Sequence, residues 1–130
     1  MKKLFFFLSM ALLMSGCSKD ILQSGESLVI CNLDSKSDTQ ELSLNIWSFY
    51  YRPGGSYLFR LYEGDVTPVS FLSSTIDINT ENAYIGMFTS SANNRYSIDF
   101  RPEKGKKYTI ATDLLWKKKA ICLKTLITAK

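Results

Sequence analysis

From residue 27 onward the chain is built of short runs in which apolar and polar residues alternate, each closed within a dozen residues by glycine, proline, asparagine or aspartate. That punctuation constrains the fold more than any other feature. Leu42, Leu44 and Ile46 alternate with Glu41, Ser43 and Asn45, and Tyr96, Ile98 and Phe100 alternate with Ser97, Asp99 and Arg101. Tyr108 and Ile110 repeat the pattern within residues 106–112. Successive side chains of a strand point to opposite faces, so each run offers one face to a core and one to water. Strands are expected over residues 27–33, 40–51, 56–63, 66–72, 75–79, 83–89, 96–101, 106–112 and 120–128, with Leu114 to Trp116 either extending the eighth of these or forming a bend before Lys117. Turns fall at Arg52-Pro53-Gly54-Gly55, Gly64-Asp65, residues 90–94 and Pro102-Glu103-Lys104-Gly105. No long amphipathic helical stretch interrupts them. The expectation is an all-β fold, a small β-sandwich of about eight strands, with a small barrel as the competing architecture. Pro68 marks residues 66–72 as an edge strand.

The first residues read differently. Lys2 and Lys3 precede an apolar run from Leu4 to Met14, shorter than the roughly 20 residues of a membrane-spanning helix. This is the pattern of a secretory signal. Its ending, Met14-Ser15-Gly16-Cys17, resembles the lipobox of bacterial lipoproteins, although Met14 stands where that class more often has leucine. The resemblance implies cleavage before Cys17 and acylation of its thiol. Residues 1–16 are then signal peptide, residues 17–26 a lipidated tether and residues 27–130 the β-sandwich domain. More than one acyl chain makes anchoring stable without a spanning helix. Ser18, rather than aspartate, follows the cysteine, which favours the outer membrane, with the domain facing the periplasm or the cell surface.

Export sets the context for the other features. The chain has 16 basic and 12 acidic residues, and loss of Lys2 and Lys3 leaves an excess of only two positive charges. That is too small to argue for nucleic acid. The basic residues gather late, in Arg101, Lys104, Lys106, Lys107 and the run Lys117 to Lys119, a solvated face by default and otherwise a contact for anionic headgroups or an acidic partner. Cys31 and Cys122 sit in strand-like runs in an oxidising compartment. A disulfide closing a loop of about 90 residues and worth about 4 kcal/mol is one expectation, and two separate buried thiols is the other.

The chain carries no histidine, no phosphate loop, no serine elbow and no metal-ligand spacing. Neither a metal nor a cofactor is expected. Asp77 with Glu81, and Asp99 with Arg95 or Arg101, read as solubilising residues, so the chain is read as non-enzymatic. Within residues 40–51 the alternation slips, setting Trp47, Phe49 and Tyr51 against Ile46, Ser48 and Tyr50. A bulge that turns these rings inward is the plain interpretation. The alternative is an exposed recognition patch of Trp47, Phe49, Tyr51, Tyr57 and Tyr62 that contacts a partner or ligand.

Two further resemblances concern architecture. Pro102-Glu103-Lys104-Gly105-Lys106-Lys107-Tyr108-Thr109-Ile110 resembles a turn–strand phrase of transthyretin-like and immunoglobulin-like extracellular domains. In such a place Tyr108 is expected either to bond back across the corner or to fill the core. With its lipobox and one short β domain, the chain is also similar to the small transthyretin-like lipoproteins of type VI secretion machines and to the longer fimbrial lipoprotein precursors of Bacteroides-type bacteria. The main functional expectation is a non-enzymatic envelope protein that docks to or supports an envelope protein assembly, with lipid supplying its placement. The other functional expectation is a surface module for a glycan or small ligand.

Overall fold

A computed structural model describes residues 28–70, 80 and 82–130. The signal, Cys17, the tether, the expected strand at 75–79 and the pair Asp77 and Glu81 lie outside the described residues. Among the described residues there are eight strands, β1 (Val29–Cys31), β2 (Thr39–Leu44), β3 (Tyr57–Glu63), β4 (Tyr84–Met87), β5 (Thr89–Ala92), β6 (Arg95–Asp99), β7 (Lys107–Trp116) and β8 (Lys119–Thr128). They form two antiparallel four-stranded sheets, ordered β1-β2-β6-β5 and β4-β3-β7-β8. The molecule is thus all-β, in agreement with the sandwich expected from the alternation.

The core lies between the sheets, where the inward positions meet. Leu42 and Leu44 of β2 and Tyr96 and Ile98 of β6 face Phe59 and Leu61 of β3, Tyr108, Ile110 and Leu114 of β7 and Leu123 of β8. Phe59 and Tyr96 pack across the sheets at 4.6 Å between ring centroids. Burial of such side chains contributes roughly 1.5–3 kcal/mol each. Buried polar side chains share this inward face, Thr112 of β7 and Gln40 of β2. Gln40 is buried at the start of β2, where its Oε1 accepts from Asp34 N at 2.8 Å. Its Nε2 donates to the carbonyls of Asp34, Ser37 and Phe100 at 3.2, 2.8 and 3.0 Å. One side chain thereby ties the β1–β2 loop to the end of β6.

The two flanks of the sandwich are closed in different ways. On one flank β4 and β5 are separated only by Phe88, so a single run of chain leaves the edge of one sheet and becomes the edge of the other. Phe88 is buried, and its N–H donates to Phe59 O at 2.9 Å. On the other flank Ser35 N donates to Lys130 O at 2.8 Å and Lys130 N to Leu33 O at 2.9 Å, joining the chain after β8 to the chain after β1.

The second sheet is also buried on its outer side. Arg60 and Asp113 pair there, Nε to Oδ2 at 2.9 Å and Nη2 to Oδ1 at 3.0 Å, with both side chains buried. Arg60 also donates to Tyr62 Oη at 2.7 Å and to Val69 O at 3.0 Å. Removing one member of such a pair strands a buried charge, at a cost of about 3–5 kcal/mol.

Three expectations are corrected, and of the two readings of Cys31 and Cys122 the separate thiols are found. The strand expected over residues 40–51 ends at Leu44, because asparagine and serine capture the backbone that follows. Asn45 Oδ1 accepts from Trp47 N at 3.1 Å, Ser48 N donates to Asn45 O at 3.0 Å, and Ser48 Oγ accepts from Tyr50 N at 3.2 Å. Local turn chemistry outweighs the β propensity of the aromatics. Residues 66–70 are not a strand: this segment is tied to the outer side of the second sheet by Val66 N, which donates to Thr109 Oγ1 at 3.2 Å. Ser90–Ala92, read as part of a turn for its polarity, belongs instead to the edge strand β5, which is exposed along its length. Finally, Cys31 and Cys122 are free thiols. Cys31 packs toward the core, whereas Ile121 and Leu123 take the inward phase of β8 and leave Cys122 on the outer side beside Arg60, so the two point away from each other.

Candidate functional site

The strand registers bring several segments to one end of the sandwich. β2 leaves the sheet at Leu44 into the loop 45–56, which enters β3 at Tyr57, and Tyr57 pairs with Leu114 just before the β7–β8 turn. The β5–β6 turn at Asn93-Asn94 is held here by Leu44 N donating to Asn94 O at 3.0 Å. Leu28 is here as well, its carbonyl accepting from Asn45 N at 2.8 Å. The chain therefore enters the described fold at this end.

The loop 45–56 presents an apolar tip. Trp47 is 87% exposed, Phe49 62% and Ile46 51%. Phe49 stacks edge-on against Tyr50 at 5.4 Å between centroids, and Tyr50 and Tyr51 pack against the core, which steadies the loop. Behind the tip the turn is built from glycine and proline. Gly54, at φ 76°, takes the left-handed position of a type II turn after Pro53, and Gly55 N donates to Arg52 O at 2.9 Å. Tyr57 then reaches back, its Oη accepting from Arg52 N at 2.8 Å and lying 3.2 Å from Arg52 O. A Cβ on Gly55 would stand 2.9 Å from that hydroxyl, so the corner admits only glycine without rearrangement.

The same device recurs at the opposite end. Gly105 has φ 83°, Lys106 N donates to Glu103 O at 3.0 Å, and Glu103 N donates to Tyr108 Oη at 2.9 Å. Tyr108 is buried against Phe100 as well, so it both fills the core and bonds back across the corner. The glycine at the third position and the tyrosine at the sixth are visible in the sequence at both turns.

Of the five aromatic candidates, the structure gathers four at this end. Trp47 and Phe49 are exposed, while Tyr51 and Tyr57 are half-buried against the core. Tyr62 is elsewhere: it is buried on the outer side of the second sheet, stacked edge-on with Tyr84 at 5.5 Å and hydrogen-bonded to Arg60. Beside the corner is a cleft of about 280 Å³ lined by Leu44, Arg52, Tyr57, Asn93, Asn94 and Tyr96. Burial raises the Tyr96 hydroxyl pKa, so it stays protonated and able to donate. The sequence reading missed Ile46, Arg52 and the two asparagines.

The remaining chemistry is quiet. Burial pushes the Cys31 thiol up to about 12, which withholds the thiolate needed for nucleophilic attack. A shallow groove of about 540 Å³ on the first sheet, lined by residues such as Ile30, Asn32, Glu41 and Arg95, is polar and open. Among the described residues no group of three His, Cys, Asp or Glu side chains could hold a metal ion. Comparison with known proteins finds no family model that matches the chain, no similar curated protein and no similar solved structure.

Proposed function

We propose that this is a non-enzymatic, lipid-anchored protein of the bacterial envelope whose β-sandwich docks onto an envelope protein assembly. The observation that carries the docking is the tip Ile46-Trp47-Ser48-Phe49, an apolar protrusion held in shape by its own turns. Aromatic side chains are enriched at protein interfaces, and tryptophan is among the residues that most often carry their binding energy. The anchoring part of the proposal rests on the lipobox-like ending at Cys17, which on acylation places the protein at an outer membrane, facing the periplasm or the cell surface. A second reading, a surface module for a glycan or small ligand, is favoured by the cleft beside Arg52, Tyr57 and Tyr96.

The test is capture of the acylated protein from its native envelope after mild crosslinking, with mass spectrometry of what comes with it, alongside Cys17→Ala and Trp47→Ala/Phe49→Ala variants. A defined set of partners, lost in both variants, is expected. Correctly exported and folded protein that captures no partner would sink the docking reading and put the glycan or small-ligand module first.

A further inference from the structure

We propose that the end of the sandwich bearing the β7–β8 turn is a binding surface for anionic phospholipid headgroups, with Lys117, Lys118 and Lys119 as its contacts. The inference goes beyond docking to a protein and rests on the anchored reading above only for the direction from which the chain arrives.

Three observations converge. The first is charge. The segments gathered at this end, residues 45–56, 92–95 and 115–120, contain Arg52, Arg95, Lys117, Lys118 and Lys119 and no aspartate or glutamate. Elsewhere among the described residues carboxylates accompany the cations: Arg101 with Asp38 at 2.8 Å and Lys106 with Glu63 at 2.6 Å toward the opposite end, and Lys124 with Asp65 at 2.6 Å from mid-strand.

The second is backbone conformation. A two-residue hairpin turn needs positive φ at both positions, and asparagine followed by glycine supplies it at the lowest cost. Here the positions are filled by Lys117 at φ 52° and Lys118 at φ 68°. Side chains that pay for left-handed backbone at a solvent-exposed tip point to a use for those side chains.

The third is placement. The chain enters the described fold at this end, at Leu28, so an acylated Cys17, separated from Leu28 by ten residues that span no more than about 35 Å when extended, keeps this end toward the bilayer. Charge alone would suit an acidic protein as well as a membrane; the entry point selects the membrane. Leu115, 65% exposed just before the turn, adds an apolar contact at headgroup depth. An acyl anchor combined with a basic patch is a pairing of signals that membranes retain well.

The test uses the full acylated chain in vesicles of phosphatidylcholine alone or with about one third phosphatidylglycerol, with amine acetylation of each lysine followed by mass spectrometry. Lys117, Lys118 and Lys119 should label about tenfold more slowly on the anionic vesicles, with high salt removing the difference. Lys104, Lys107 and Lys130, at the opposite end, should label equally on both. In a Lys118→Glu/Lys119→Glu variant that melts like the parent, Lys117 should lose its protection. Equal labelling of the tip on both vesicles overturns the proposal. So does protection that appears only when envelope extract is added, since an acidic protein would then be the ligand. Flotation with neutral vesicles reports the anchor separately: a chain that floats only with anionic vesicles removes the acyl anchor and still supports the lysine contact. The vesicles contain no protein partner, so neither result depends on docking.

Discussion

The two ends of this sandwich are built from similar turns and put to different uses. At the end carrying the β1–β2 loop and the β6–β7 loop, several polar groups tie one segment to another. Gln40 bridges two loops, Arg101 adds a bond to Ser35 O at 3.0 Å beside its ion pair, and Gly105, Ala129 and Lys130 are held by main-chain bonds. At the end carrying the loop 45–56 and the β7–β8 turn, a bonded corner at Tyr57 supports a tip that leaves Trp47 and Phe49 in water and lysines at positive φ. The contrast teaches which features the fold itself requires. A stitched end is explained by bonds within the fold, whereas the exposure of Trp47 and the left-handed backbone at Lys117 and Lys118 cost the isolated domain free energy.

If the division holds, substitutions at the two ends should differ in kind. The largest effect is expected at the stitched end. Gln40→Ala leaves a buried amide and carbonyls without partners and should destabilise the domain by about 2–4 kcal/mol in chemical denaturation. A loss under about 0.5 kcal/mol would mean that the loops do not depend on it. The next effect has the opposite sign. Lys117→Asn/Lys118→Gly should stabilise the domain by about 1 kcal/mol by relieving the left-handed backbone, while reducing tip protection on anionic vesicles. A destabilised double variant would contradict the strain argument.

A smaller change in stability is expected from Trp47→Ala/Phe49→Ala. The rings are exposed, so the melt should stay within about 0.5 kcal/mol of the parent while partner capture falls. A larger loss of stability would make the tip part of the fold. The smallest effect is a pH dependence confined to the stitched end. The hydrogen bond from Lys124 lowers the pKa of the Asp65 carboxyl. Its contribution is therefore present above the ordinary carboxylate range and is lost as pH falls through the lowered value. Lys106, raised mainly by its bond to Glu63, contributes fully below the ordinary lysine value and loses that contribution as pH rises through the raised one. Thermal melts of Asp65→Asn should fall slightly below the parent at neutral pH and converge with it in acid; a constant difference across that range would show that the pair is not the cause.

The alternation rule made much of the fold legible. It placed Leu42 and Leu44, Tyr96 and Ile98, and Tyr108 and Ile110 on inward faces, where they are found. It failed where a local hydrogen bond or a tertiary neighbour decides the outcome. Asn45 and Ser48 stop a strand that the aromatic run would continue, and Thr89–Ala92 becomes a strand only because β6 lies beside it. Gln40 looks like an ordinary polar residue until the loops around it are in place. Cys31 and Cys122 each lie in a strand as expected, but sequence carries no relation between the phases of two distant strands. At the candidate site the aromatic residues were legible as a group, and the departure of Tyr62 was not. The Arg60–Asp113 pair that buries it spans β3 and β7, more than fifty positions apart.

The passage of one chain between sheets at Phe88 bears on how the molecule comes apart. Edge strands ordinarily fray first and independently, because each is held along one side only. β4 and β5 are both edges, yet with one residue between them neither can peel away without pulling on the other. Loss of the β3–β4 pairing strains the β5–β6 pairing within the same stretch of backbone. The free energy that would let one margin open locally is thereby shared across both layers, and the sandwich unfolds along this flank as a single cooperative unit.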